Sequence, residues 1–222
     1  MPTLALGTVR RAGDKGGMDA SLYITAFVTL FVVIDPVGLA PIFIALTPGA
    51  SAAERARIGM RAVVISAILL TLFGLAGKAI LSGIGISLSA FRIAGGILLF
   101  LTALDMLFER RTERREGQKN DGQPENDPSV FPLATPLLAG PGSLATMILL
   151  VGQETGVLHV VMVHLAMLAV LTIALVLFHL ATPLARALGR TGTMVVTRLL
   201  GMLLAALSIQ FVIDGLLDSG LF

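Results

Sequence analysis

Six stretches of this chain are each long and apolar enough to cross a lipid bilayer, and no other feature of the sequence narrows its folds so sharply. A spanning helix needs about 20 mostly apolar residues. Such runs occur at roughly 21–46, 60–80, 86–108, 130–152, 157–181 and 194–217. Lipid offers no partner to a backbone N–H or C=O, so only helices and closed barrels span it, and runs of this length select helices. A chain that is 55% hydrophobic and 14% charged carries more apolar surface than a soluble core of 222 residues encloses. The fold class is all-α integral membrane, with the lipid bilayer as its first partner.

The connections are short except for 109–129, ERRTERREGQKNDGQPENDPS, a polar linker whose composition favours disorder. It separates a first unit, 21–108, from a second, 130–222, each with three spans. Residues 1–20 lack the apolar core of a signal peptide and read as a flexible tail. Orientation follows the Lys/Arg bias of the loops. One side carries Arg55, Arg57, Arg61, Arg110, Arg111, Arg114, Arg115, Lys119, Arg186 and Arg190; the other carries Arg10, Arg11, Lys15 and Lys78. Ten against four places the linker in the cytoplasm and both termini outside. This asymmetry accounts for the basic loops as topology determinants, so the net charge of +2 is not a nucleic-acid signature. With no cysteine there are no disulfides or thiolate metal sites. No motif asks for a cofactor, and none fixes an oligomeric state.

The second half repeats the first at an offset of about 106 positions. FRIAGGILLFLT (91–102) aligns with TRLLGMLLAALS (197–208), so that Arg92 meets Arg198 and Gly95 meets Gly201. At nearly the same offset Asp35-Pro36 falls on Pro141-Gly142. Because each unit has an odd number of spans, the second must enter the membrane upside down, giving two inverted three-helix repeats, an architecture of many secondary transporters.

The first and fourth spans carry helix breakers at their centres. Asp35 is a favoured N-cap and Pro36 fits the first helical position, so one helix should stop near Ile34 and another begin at Pro36, with Gly38 allowing close approach. In the fourth span Gly140, Pro141 and Gly142 interrupt the backbone hydrogen bonds, and Ser143 is placed to cap a second half-helix. Broken helices at membrane depth need a polar cavity to satisfy them. Two of them imply a shared midplane pocket whose exposed N–H groups suit an anion such as a carboxylate. Asp35, Pro36, Gly38, Gly140, Pro141, Gly142 and Ser143 are the candidate substrate-binding residues, with Thr146 and Gln210 as polar lining. Asp35 would hold an amino group or a coupling proton, sodium being the alternative coupling ion. Isolated kinks also serve packing alone. Arg92 and Arg198 suit the membrane interfaces, His164 and His179 suit helix contacts, and Gly74, Gly77, Gly95 and Gly96 suit close helix packing.

Three motifs together carry a resemblance. Asp-Pro-Val-Gly-x-x-Pro-Ile-Phe (35–43), Pro-Leu-Ala-x-Pro-Leu-Leu-Ala-Gly-Pro-Gly-Ser (132–143) and Arg-x-x-Gly-x-Leu-Leu-Ala-Ala with a following Gln-Phe-x-x-x-Gly (198–215) resemble the MarC family of bacterial inner-membrane proteins. The resemblance implies six transmembrane helices, a plasma-membrane location and no established enzymatic activity. Some of its relatives are described as transporters of small neutral amino acids such as glycine and alanine. Members often carry Asn where this chain has Leu39. The expected function is secondary transport of a small zwitterionic solute. A non-transporting scaffold is the alternative. An intramembrane hydrolase using Ser143 and His164 lacks a nucleophile elbow and is a distant third.

Overall fold

The computed structural model describes residues 20–108 and 127–220, and within that range it leaves the side chains of Ala185, Arg186 and Arg190 undescribed. The tail at 1–19 and most of the expected linker, 109–126, lie outside the described residues. Among the described residues eight helical segments follow in order: α1 (Ala20–Ile34), α2 (Pro36–Leu46), α3 (Ala52–Gly83), α4 (Leu88–Leu107), α5 (Ser129–Leu138), α6 (Pro141–Gly152), α7 (Val157–His179) and α8 (Ala181–Asp218). Five spans are long and apolar enough to cross a membrane: α1 with α2, α3, α4, α7, and Thr191–Asp218 of α8. Counting α5 and α6 as one span bent by 54° makes six.

Local chemistry sets the ends of these elements. Ser51 and Glu54 form a reciprocal cap at the start of α3: the Ser51 N–H donates to Glu54 Oε2 (2.8 Å), and Ser51 Oγ accepts from the Glu54 N–H (3.3 Å). Ser87 Oγ accepts from the Ala90 N–H at 3.1 Å and starts α4. α5 departs from regular helix: Phe131 and Thr135 are extended, each before a proline in a cis peptide. Its spacing is that of i→i+5 hydrogen bonds, such as the Ala139 N–H to the Ala134 carbonyl at 2.8 Å. The sequence leaves 182–193 as a connection, but α8 begins at Ala181 and fills most of it, because its Ala, Leu and Arg residues are strong helix formers. Gly189 breaks this helix at a positive φ (60°) with an extended ψ (−177°), a conformation essentially restricted to glycine.

Burial places the two short-helix pairs inside. In the apolar window of α1–α2, 61% of the residues are buried, against 22–33% in the windows of α3, α4, α7 and α8, so α1–α2 is enclosed and the others form the wall. The wall turns Ile68 and Leu72 of α3, Leu101 of α4, Leu165 of α7 and Leu203 of α8 outward, a surface suited to lipid chains. α4 and α8 pack antiparallel at close range. A β-carbon on Gly96 would lie 2.7 Å from the Ser208 carbonyl oxygen, and one on Gly201 3.0 Å from Met106 Cβ. Gly74 and Gly77 of α3 admit Met147 and Ile148 of α6, and Gly95 of α4 admits Leu149. Gly74, Gly77, Gly95 and Gly96 therefore do the packing work expected of them.

Two apolar clusters fill the interior. The larger joins Ile34, Leu39, Phe43, Leu138, Met147, Met167 and Phe178, with Phe43 stacked on Phe178 at 4.6 Å. The smaller joins Val32, Val33, Leu99, Ala103, Met106, Leu204 and Phe211. Val33 and Ile34 belong to different clusters, so the end of α1 lies on the seam between them.

Candidate functional site

The first break forms at Asp35. α1 ends at Ile34 and α2 begins at Pro36, with Asp35 between them in a left-handed conformation (φ 54°, ψ 62°). Asp tolerates that region better than most residues because its short side chain can bond locally. Here Oδ1 accepts from the Gly38 N–H at 3.0 Å. Gly38 is required by this contact, since a β-carbon there would lie 2.2 Å from Asp35 Oδ2. Asp35 is 1% exposed.

The second break is built differently. Gly140 is the N-cap of α6, Pro141 its first residue, and no side chain caps it. Ser143 is therefore not the cap that the sequence suggests. Its hydroxyl turns back and donates to the carbonyls of Leu138 (2.8 Å) and Gly140 (3.0 Å), the second of which also accepts from the Leu144 N–H at 2.9 Å. Thr146 likewise donates to the Gly142 carbonyl at 2.8 Å, so its hydroxyl is occupied within its own helix. Gly140 has no room for a side chain: a β-carbon would meet the Pro136 carbonyl oxygen at 2.4 Å. Pro36 and Pro141 each open a helix, with Asp35 and Gly140 at the respective N-cap positions.

The two breaks are neighbours. A β-carbon on Gly142 would stand 3.5 Å from Val33 Cγ1, two residues before Asp35, and 3.2 Å from Leu99 Cδ2. They do not, however, enclose the open midplane pocket expected of them. Asp35, Ser143 and Thr146 are 1%, 3% and 0% exposed, packed among apolar side chains. Two cavities, of about 380 and 140 Å3, lie instead beside the 47–51 connection and the α7–α8 junction, and none of the break residues lines them. Near the breaks Pro141 is exposed, and Val37, Gly142 and Leu144 are half-buried.

Gln210 does not belong to this site. It is exposed on α8, where Nε2 donates to Asp214 Oδ1 at 2.7 Å, because the inward positions of that helix are Leu204, Ser208 and Phe211. Arg92 finds its carboxylate in Asp218. His164 donates from Nδ1 to the Val160 carbonyl at 2.7 Å, leaving Nε2 buried beside Gly74 without a partner. Sequence reasoning missed His159, which is 4% exposed and donates from Nε2 to the Leu150 carbonyl at 2.8 Å, tying the end of α6 to α7. The available signal was its position two residues inside an apolar run.

Comparison with known proteins supplies the family. Residues 20–219 match the model of the MarC family integral membrane protein. A UPF0056 membrane protein of Archaeoglobus fulgidus is 39% identical over 201 residues, covering 89% of this chain and 93% of the relative. The UPF0056 membrane protein YvbG of Bacillus subtilis is 33% identical, with 90% and 96% covered, and YhcE of Escherichia coli is 34% identical, with 89% and 93% covered. No solved structure matches the chain. The matched region contains both breaks and all the spans, and the chain belongs to the MarC family of multi-pass integral membrane proteins.

Proposed function

We propose that this protein is a non-enzymatic secondary transporter for a small zwitterionic solute, such as a neutral amino acid, built from two inverted three-helix units and held here in a closed state. The observation that carries the reading is the contact of the Asp35 break with the Gly142 break inside the bundle. The two ends are chemically unlike. The Gly38 N–H at the first break is already bound by a carboxylate, whereas the first turn of α6 has no side-chain cap. An uncapped helix start favours a carboxylate, and an acidic residue favours an ammonium group. The solute carboxylate would therefore rest on the amides at Gly142 and Ser143, and its amino group, or a coupling proton or sodium ion, on Asp35. The amides at Pro36–Gly38 drop out as an anion site.

The packing pattern supports the inverted repeat. α3 packs on α5, α6 and α7, and its counterpart α7 packs on α1, α2 and α3. α4 packs on α6 and α8, and its counterpart α8 packs on α2 and α4. Each unit is held mainly by the other, as a pseudo-two-fold arrangement requires. The charge bias supports a plasma-membrane topology with both termini outside.

Uptake by purified protein in proteoliposomes tests the function. Labelled glycine or alanine should accumulate above empty vesicles under an imposed proton or sodium gradient. Background uptake of both, under both gradients, would exclude this substrate class.

A further inference from the structure

A second site lies at the end of the bundle, away from the two breaks. A cavity of about 140 Å3 opens between the start of α3 and the α7–α8 junction, with Arg55, His179 and Thr182 as its polar lining and Ala52 and Ala56 as small walls. We infer that this cavity binds a phosphate group, carried by a lipid head group or by a free anion.

Its chemistry is rich in donors. Arg55 donates from Nη1 to Thr182 Oγ1 at 3.3 Å and from Nη2 to the Thr47 carbonyl at 3.2 Å, both of them neutral acceptors. Its Nε is buried and has no partner. Glu54, the adjoining acid, is turned away and bonded to Ser51. Among the described residues Arg55 has no carboxylate partner, although it stands in the first turn of α3, the positive end of the helix dipole. A half-buried cation so placed is stabilised by an anion. The Thr182 hydroxyl accepts from Arg55 and has its own proton left to give. His179 donates from Nδ1 to the Leu175 carbonyl at 2.8 Å, which leaves Nε2 for a ligand. No side chain caps α8, whose first two residues, Ala181 and Thr182, border the cavity. A planar guanidinium beside a hydroxyl matches the tetrahedral oxygens of phosphate. The site shares its end of the bundle with Arg57 and Arg61, at the level where head groups would lie.

Full-length protein, stripped of lipid in a neutral detergent, is melted with and without inorganic phosphate, then again in phosphatidylcholine nanodiscs with and without phosphatidylglycerol. Phosphate stabilises many proteins by exclusion from their surface, so the signal is the difference between wild type and variant. The expected result is a rise in Tm that Arg55→Gln abolishes, Thr182→Val reduces by about half, and Arg55→Lys partly retains. A rise with inorganic phosphate assigns a free anion, and a rise confined to phosphatidylglycerol assigns a lipid. No rise with either, or an equal rise in Arg55→Gln, overturns the site. Should Arg55→Gln not fold, an undiminished rise in Thr182→Val overturns it equally. The inference does not rest on transport, and failure of uptake leaves it standing.

Discussion

A β-carbon on Gly142 would stand 3.5 Å from Val33 Cγ1, so the first turn of α6 rests directly on the last turn of α1. The contact joins two helix ends that lie more than a hundred residues apart, and it makes the size of residue 142 a test of the proposed site. Gly142→Ala should fold, since its nearest neighbour is the flexible end of Leu99 at 3.2 Å. Gly142→Leu should overpack the seam, lowering stability by about 1–3 kcal/mol, and should abolish uptake. Melting curves and proteoliposome uptake, measured on the same preparations, check both. Full uptake by a folded Gly142→Leu variant removes α6 from the pathway.

Asp35 caps a helix and carries a charge, and substitution separates the two roles. Asn keeps an acceptor for the Gly38 N–H and tolerates the left-handed backbone, so Asp35→Asn should melt close to wild type. Asp35→Ala loses the cap and should be destabilised by about 0.5–2 kcal/mol. Both should fail to transport if the carboxylate holds the ammonium group or the coupling ion. Uptake by Asp35→Asn at the wild-type rate would leave the residue as a cap only.

The glycines at the two breaks should differ in tolerance. At Gly38 an added β-carbon meets the Asp35 side chain, which can rotate away with loss of the cap, at about 1 kcal/mol. At Gly140 it meets the Pro136 carbonyl oxygen at 2.4 Å, and backbone cannot step aside cheaply. Gly140→Ala should therefore lower stability by about 3 kcal/mol, more than Gly38→Ala does. Chemical or thermal unfolding of the two variants side by side orders them.

Asp127, just before α5, gives a modest acid dependence. The Ser129 hydroxyl and N–H bond its carboxylate at 2.6 and 2.9 Å, with Arg61 also paired to it, and these hold its pKa below the ordinary value despite slight desolvation. A depressed folded-state pKa stabilises above the unfolded value, about 3.9, and that contribution is lost as pH falls through the folded value. The carboxylate is only partly buried, so solvent screening keeps the loss under about 1 kcal/mol. Melting between pH 6 and pH 3 should show a downward component that Asp127→Asn lacks.

Gln210→Ala should leave uptake unchanged, because its amide faces outward and bonds Asp214. Impaired uptake in this variant would bring α8 back into the pathway.

The spans were legible because lipid imposes a length and a composition on every crossing helix, and the ends of the α1–α2 span, of α4 and of α7 fall within two residues of where hydropathy alone puts them. Asp35-Pro36 was legible for a local reason, since an Asx cap followed by proline determines its own geometry. Gly140–Ser143 was read only in part. Glycine as a cap leaves no side-chain signature, and Ser143 turns back because carbonyls of α5 and Gly140 lie behind it, which depends on how that irregular segment coils. Gln210 was misplaced because helical spacing gives a residue's face and not which face the neighbours cover.

The sequence by itself determined the class, the number of candidate crossings and the positions of both breaks, all consequences of backbone hydrogen bonding in a solvent that supplies none. Tertiary structure alone decided that the breaks touch, that they are filled rather than hollow, and that Arg55 has no carboxylate partner among the described residues. Each of these depends on which side chains from distant spans occupy the same few ångströms, and periodicity along one helix carries no record of that.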